Sequence, residues 1–242
     1  MGVLDGASLC DLDQDLARNI VSLRESQDLF DDLSDSPADW RIAQQAEHQA
    51  RPRSHVSPQP VIHRPFEEAA WMGAVQWPFD HPGASRFSDG QFGVWYGSDT
   101  VETTIYETVH HWANGFLADA GLQQHSVQAE RKVYLVRCTA LLADLRRTAE
   151  PGLGILDRRD YSLSQALGAR LHREGHPGLL VRSARRSAAW NSGWNAAILH
   201  PDRLSDPRVA CFLSYQLDGG RVTVTRGRDS APWVLDLGDL PG

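Results

Sequence analysis

Residues 86–112, RFSDGQFGVWYGSDTVETTIYETVHHW, combine a turn, strand-forming residues and a helix within one stretch. The dipeptide Asp89-Gly90 is a strong turn signal, and the β-forming residues on both sides predict two strand-like pieces that meet at a short loop. A helix is predicted to follow, with Asp99 as its N-cap and Glu102 three residues further on.

The predicted helix has one apolar face and one glutamate that avoids it. At about 100° per residue, Glu107 projects on the opposite side together with Thr104 and His111. It therefore faces either open solvent or a cleft, and the pattern alone does not choose between them. The apolar stripe consists of Val101, Ile105, Val109 and Trp112.

Composition sets the class of protein. A chain of 242 residues with 41% hydrophobic residues can build one large domain, or one domain with an appendage. No apolar run approaches the roughly 18 residues of a membrane span, and the N-terminus lacks the pattern of a secretory signal, so we expect a cytoplasmic protein with no membrane partner. The net charge of −7 argues against direct binding of nucleic acid. Three cysteines without a CxxC pair are expected to be buried thiols.

The acidity is concentrated at the N-terminus. Residues 1–50 contain eleven Asp and Glu against three Arg, a balance of 3 − 11 = −8. Apolar residues at three-to-four spacing between positions 9 and 33 predict amphipathic helices, and a further helix is expected after Ser36-Pro37. We therefore predict an acidic helical appendage over 1–50 and a proline-rich linker over 51–60. The appendage either packs on the main domain or contacts a partner or a second copy.

The main domain is expected over 61–242. Strands are predicted at 61–66, 131–138, 177–183 and 195–200, and a terminal hairpin is predicted to turn at 218–220. Residues 141–146 are predicted to form an edge or turn. A helix is predicted from Asp160 or Ser162 to near Gly175, and the segment before Ser85 as an irregular packed loop. No regular βαβ alternation is present, so the fold class is α+β with a mixed, mostly antiparallel sheet.

Common catalytic motifs are missing from the sequence. It has no GxGxxG, Walker loop, HExxH or GxSxG. The nearest metal-like pattern is Glu107-x-x-His110-His111, in which the carboxylate and the imidazole at i and i+4 can share one helical face. No further ligand follows at useful spacing, so no metal is expected. Taken singly, Arg86 could be a surface arginine, Tyr96 a core ring and Ser183 a hydroxyl that caps the end of a strand.

Taken together, these residues resemble the RES-domain family, named for its arginine, glutamate and serine. The resemblance assigns Arg86, Tyr96 and Glu107 as catalytic residues. It assigns substrate-binding positions to Arg64, Ser183, Arg185 and Asn195. Five stretches in order carry it: IHR at 62–64, RFSDGQFGVWYGSDTVETTIYE at 86–107, YLVRCTALLADL at 134–145, DYSLSQALGARLHREGHPGLLVRSARR at 160–186 and SGWNAAIL at 192–199.

The resemblance implies a split mixed sheet similar to that of ADP-ribosyltransferases, with NAD bound in its cleft. It also implies a toxin of a bacterial toxin–antitoxin pair that cleaves the nicotinamide–ribose bond of NAD, as a glycohydrolase or a phosphorylase. NAD is then a substrate rather than a cofactor, inorganic phosphate is one alternative co-substrate, and the expected partner is a helix-turn-helix antitoxin. Formation of a homo-oligomer stays open.

The resemblance also suggests roles within the site. Glu107 would stabilise an oxocarbenium-like ribose, Arg86 would clamp the pyrophosphate and Tyr96 would stack on nicotinamide or its ribose. Ser183 would hold substrate or orient Glu107. Two alternatives remain, an ADP-ribosyltransferase that modifies a macromolecule and an inactive partner-binding module. Deletion of residues 1–60 is expected to separate them, since an enzyme would keep its turnover without the appendage.

Overall fold

The computed structural model describes residues 7–21, 72–119, 121–123, 125–147, 154–157, 160–184, 193–227 and 230–238. Its strands are β1 (Ser8–Val21), β2 (Ala84–Ser85), β3 (Ser88–Asp89), β4 (Trp95–Ser98), β5 (Val127–Asp144), β6 (Gly178–Arg182), β7 (Trp194–Ile198), β8 (Leu204–Asp218), β9 (Arg221–Thr225) and β10 (Trp233–Asp236). Its α-helices are α1 (Trp77–Asp80), α2 (Val101–Val109), α3 (Leu117–Asp119) and α4 (Ser162–Arg173). Short π-helical segments at Met72–Gln76 and His110–Phe116 and a 3₁₀ turn at Pro201–Arg203 complete the helical elements of these ranges.

Eight of the strands form one sheet in the order β1-β4-β7-β6-β5-β8-β9-β10. Since β1 also pairs with β5, the strands β1, β4, β7, β6 and β5 close into a ring. The β5–β6 pair is parallel, and the other pairs in the sheet are antiparallel. The prediction of an α+β fold with a mixed, mostly antiparallel sheet is therefore confirmed. The further likeness to ADP-ribosyltransferases stays a prediction.

The N-terminal strand corrects the expectation of a helical appendage. Residues Ser8–Val21 form β1, which pairs with β5 from Ser8 opposite Asp144 to Val21 opposite Arg131. Helical spacing was misleading here because positions four apart also share one face of a strand. The predicted helices between 22 and 50, the linker at 51–60 and the strand at 61–66 lie outside the described residues.

The longest strand, β5, extends beyond its prediction in both directions. Residues 141–146 were expected to form an edge or turn, but β5 continues to Asp144 because β1 pairs with it along its whole C-terminal half. On its other edge β5 pairs with β8 and then with β6, so neighbouring strands are hydrogen-bonded to both of its edges. The expected strand at 131–138 is thus the middle of the central strand of the sheet.

Helix α2 presents its predicted apolar stripe to the core. Ile105, Val109 and Trp112 are buried in one cluster, and Val101 packs against it. The predicted N-cap was wrong by one residue, because the hydroxyl of Thr100 accepts the hydrogen bond from the backbone N–H of Thr103.

The turn predicted at Asp89-Gly90 is also displaced. The antiparallel pair β2–β3 turns at residues 86 and 87, and Gly90 follows β3 in a bend with a φ of 103°. This places Arg86 at the tip of a small hairpin rather than within a strand.

Several local predictions are confirmed. Helix α4, strands β6 and β7, and the hairpin β8–β9 lie where the sequence patterns placed them. The segment before Ser85 is not irregular, since residues 72–80 are helical, and β10 was not anticipated. Cys138 and Cys211 are buried and Cys10 is half-buried. Within the described ranges, no helix is both long and apolar enough to cross a membrane.

Candidate functional site

A cleft of about 620 Å³ opens between the ring of strands, the β2–β3 hairpin and helix α2. This volume lies within the usual range for small-molecule sites of proteins. Its lining comes from elements that are distant in the chain, so only the folded protein forms it. Its polar lining includes Arg18, Asn19, Ser85, Arg86, Tyr96, Ser98, Glu107, Arg131, Tyr161, Arg182 and Asn195.

Glu107 is fixed in this cleft by two side-chain donors. The hydroxyl of Ser183 and the side-chain amide of Asn195 both donate to Glu107 Oε1, at 2.6 and 2.7 Å. Asn195 lies on β7, and Ser183 follows β6 directly, so adjacent strands supply the two donors. Among the described residues we find no donor to Oε2, which leaves one carboxylate oxygen for a ligand.

Ser98 fixes the orientation of the Asn195 amide. Its hydroxyl donates to Asn195 Oδ1 at 2.6 Å, and the register of β4 against β7 places the two residues opposite each other. Because the amide oxygen is engaged by Ser98, the amide nitrogen points at Glu107. The carboxylate is therefore held by a connected set of polar groups on rigid strands.

The Tyr96 hydroxyl holds the hairpin that carries Arg86. It accepts a hydrogen bond from the backbone N–H of Phe87 at 3.1 Å and shares another with Ser85 Oγ at 2.9 Å. Burial raises the pKa of Tyr96 above its usual value, so the phenol stays protonated at neutral pH. The tyrosine thus links β4 to both sides of the hairpin turn.

Arg86 contacts the opposite wall of the cleft. Its Nη1 donates to the backbone carbonyls of Ile155 and Asp157 at 3.1 and 2.6 Å, and its guanidinium lies 4.6 Å from the centre of the Tyr161 ring. These contacts fix the segment 154–157 against the hairpin.

Of the seven residues assigned from the sequence, four line the cleft: Arg86, Tyr96, Glu107 and Asn195. Ser183 is buried and reaches the site through its bond to Glu107. Arg64 and Arg185 lie outside the described residues. Their assignment stays a prediction.

Sequence reasoning missed the contribution of β1. Arg18 Nη1 donates to the backbone oxygen of Tyr96 at 3.0 Å, and the Asn19 amide donates to the Tyr215 hydroxyl at 2.8 Å. The alternation Asp11-Leu12-Asp13-Gln14-Asp15-Leu16 was the available sign of a strand, with polar residues at odd positions and mostly apolar residues at even ones.

The cleft is basic apart from Glu107. Arg18, Arg86, Arg131 and Arg182 line it, and Glu107 is the one carboxylate among its described lining residues. Burial lowers the pKa of Arg18 to about 10 and lowers that of Arg131, yet both guanidinium groups stay charged at neutral pH. This charge arrangement suits an anionic ligand that also presents a group for the carboxylate.

Fold and site together define an α+β protein with a basic cleft built around one buttressed glutamate. The family model of the RES domain matches residues 38–218, more than half of the 242 residues, and the chain therefore belongs to the RES-domain family. The match begins before the expected domain start at residue 61 and leaves β1 outside it.

The solved structures similar to this chain include the crystal structure of the M. tuberculosis MbcT–MbcA toxin–antitoxin complex. The similarity covers 90% of this chain and 91% of that chain, at 14% sequence identity and a TM-score of 0.43. Comparison with curated proteins gives no significant match.

Proposed function

We propose that this protein cleaves the nicotinamide–ribose bond of NAD and transfers the ADP-ribose group to water or to inorganic phosphate. The observation that carries the proposal is the carboxylate of Glu107, held by Ser183 and Asn195 inside the basic cleft of a RES-domain protein. The consequence for the cell is depletion of NAD, which is the action of a growth-inhibiting toxin.

The chemistry requires little more than a well-placed carboxylate. Nicotinamide in NAD is already cationic, so it can leave without being protonated by an acid. Positive charge then develops on the ribose, and a fixed carboxylate stabilises this oxocarbenium-like state as in glycoside cleavage. Glu107 suits this task because one of its oxygens is anchored by two donors, while the other has no donor among the described residues.

The remaining lining residues suit the rest of the dinucleotide. A volume of about 620 Å³ accommodates a ligand of this class, and the arginines complement its diphosphate. Water as acceptor would give ADP-ribose, and phosphate would give phosphorylated ADP-ribose. As a toxin, the protein would be neutralised in the cytoplasm by an antitoxin, for which the family resemblance suggests a helix-turn-helix protein.

The direct test is release of nicotinamide from NAD by the purified full chain, with and without inorganic phosphate. Glu107→Gln keeps the shape of the side chain but removes its charge, and we expect a loss of about 100-fold or more in kcat. Glu102→Gln, on the same helix but away from the cleft, serves as the matched control and should retain full activity. Absence of nicotinamide release, or equal release by Glu107→Gln, would refute the proposal.

The fate of the ADP-ribose group decides between acceptors. NAD labelled in its adenylate half should yield labelled ADP-ribose without phosphate, or the phosphorylated product with it. Label that becomes attached to protein in a cell extract would instead identify an ADP-ribosyltransferase. If the wild-type protein releases no nicotinamide but binds the antitoxin, it is an inactive partner-binding module.

A further inference from the structure

Arg18 on β1 is a cleft residue whose hydrogen-bonding capacity is mostly unused. Its Nη1 donates to the backbone oxygen of Tyr96, but its buried Nε meets no acceptor among the described residues. A buried N–H without an acceptor is unfavourable, and a buried charge without a counter-ion more so. Within the described part of the chain the guanidinium thus has no anionic partner, and a ligand in the cleft can supply one.

The two carboxylates nearest to Arg18 in sequence form ion pairs with other arginines. Asp13 pairs with Arg137 and Asp15 pairs with Arg208. Within the described ranges, no ion pair is formed by Arg18 itself. Its orientation is nevertheless fixed, because the guanidinium lies 5.3 Å from the centre of the buried Trp95 ring. A fixed and unpaired guanidinium is preorganised for an oxyanion.

Arg18 also lies beside the group that holds Glu107. Ala17 pairs with Ser98, and Ser98 orients the Asn195 amide that binds the carboxylate. In NAD the diphosphate is separated from the reacting carbon by a single ribose. An arginine next to this set of residues is therefore well placed for the diphosphate when the ribose lies at Glu107.

Arg86 bridges two parts of the protein, the β2–β3 hairpin and the segment 154–157. Its Nη1 donates to two backbone carbonyls, and its planar group covers Tyr161. These contacts assign Arg86 to holding the segment 154–157 against the hairpin. They leave Arg18 as the better candidate for binding the diphosphate.

We propose that Arg18 binds the diphosphate of NAD, so that β1 completes the substrate site from outside the residues matched by the RES domain. This inference rests on the proposed NAD cleavage. It makes Arg18 a substrate-binding residue that acts on affinity for the dinucleotide more than on the bond-breaking step. Strand β1 then has a function in recognition as well as in the sheet.

The test compares two substrates that share the scissile bond. NAD contains the diphosphate, and nicotinamide riboside does not. For Arg18→Gln we expect KM for NAD to rise about tenfold or more, with kcat and the turnover of nicotinamide riboside changed by less than about threefold. Arg221→Gln, at an arginine paired with Asp236 away from the cleft, should behave like wild type on both substrates. An unchanged KM for NAD, or equal losses on both substrates, would overturn the proposal.

Two further measurements cover other outcomes. If Arg18→Gln does not fold, inorganic pyrophosphate should still inhibit the wild-type protein competitively with NAD, and Arg18→Lys should raise KM to an intermediate value. Lack of competition by pyrophosphate would contradict a diphosphate site. If the wild-type protein releases no nicotinamide, NAD cleavage fails as the function. Calorimetric titration with ADP-ribose then tests Arg18 by itself, and equal affinity of wild type and Arg18→Gln rejects its role.

Discussion

The side-chain amide of Asn195 donates to the carboxylate of Glu107 across 2.7 Å while its oxygen accepts from Ser98 at 2.6 Å. The two bonds determine each other, because a flipped amide would direct its oxygen at the carboxylate and its nitrogen at the hydroxyl. Glu107 is therefore held by the register of β4 against β7, where Ser98 lies opposite Asn195. The position of the Glu107 carboxylate therefore depends on the pairing of these two strands as well as on helix α2.

Asn195→Asp should disable the site without altering its shape. Aspartate matches asparagine in size, but it replaces the donor to Glu107 with a second carboxylate. The doubly ionised pair has no donor and its like charges repel, whereas uptake of one proton at lower pH restores a donor between the two carboxyl groups. We expect kcat/KM for NAD cleavage at pH 7 to fall about 100-fold, with partial recovery at lower pH.

A pH profile of nicotinamide release checks this expectation. Gln216→Glu, which adds one negative charge on β8 outside the cleft, controls for the change in net charge. Wild-type activity of Asn195→Asp across the whole pH range would show that the amide does not position Glu107.

Tyr96→Phe distinguishes two roles of the tyrosine. A ring that stacks on nicotinamide would act equally well as phenylalanine. The structure shows the hydroxyl bound to the backbone N–H of Phe87 and to Ser85, so its removal leaves a buried donor unpaired. We expect a loss of about 1–3 kcal/mol in the free energy of unfolding, together with a higher KM for NAD, because the hairpin that carries Arg86 loosens.

Urea unfolding and steady-state kinetics on the same preparation measure both effects. Tyr134→Phe is the matched control, since Tyr134 is also buried but lies outside the cleft. If Tyr96→Phe keeps both wild-type stability and wild-type KM, the hydroxyl does not position the hairpin, and stacking becomes the better explanation.

Gly168→Ala should disturb the packing of helix α4 against the β2–β3 hairpin. A Cβ atom at position 168 would lie 1.9 Å from the backbone oxygen of Phe87, closer than any real contact permits. Backbone must therefore shift, and we expect the free energy of unfolding to fall by at least about 2 kcal/mol. The better helix propensity of alanine offsets only part of this loss.

Chemical denaturation of Gly168→Ala and Gly73→Ala provides the comparison. A Cβ at Gly73 meets nothing within 4 Å, so that variant should be as stable as the wild type. Equal stability of the two variants would mean that α4 does not pack closely against Phe87.

Local patterns predicted those parts of the fold that depend on neighbouring residues. The apolar stripe of α2 directed Glu107 away from the core, and the hairpin at 218–220 and helix α4 follow from turn and spacing signals. The same patterns could not provide the register that places Ser98 opposite Asn195. Nor could they show that the Tyr96 hydroxyl binds the hairpin. Both depend on how distant strands meet.

The N-terminal strand shows where local pattern fails for a physical reason. Leu12, Leu16 and Ile20 are four residues apart, which places them on one face of either a helix or a strand. Residues 8–21 form a strand because they pair with β5, which lies more than 100 residues further along the chain. The sequence around β1 cannot reveal such a distant partner. As a consequence, deletion of residues 1–60 removes a strand of the sheet along with Arg18. It cannot separate an enzyme from a binding module as the sequence suggested.

The contribution of β1 to the core is tested by Leu16→Ala. Leu16 is 0% exposed and packs in a cluster with Trp95 and Val136, so truncation should cost about 2–5 kcal/mol of the free energy of unfolding. Leu9→Ala on the same strand is the control, because Leu9 is 61% exposed and should change stability by less than about 0.5 kcal/mol.

The difference between the two variants matters more than either value alone. An acidic appendage outside the core would tolerate both substitutions, and urea unfolding would then give superimposable curves. A strand that closes the ring predicts a lower midpoint for Leu16→Ala only. For Leu16→Ala we also expect the proposed binding of NAD to be lost at the same lower urea concentration, because β1 carries Arg18 into the cleft.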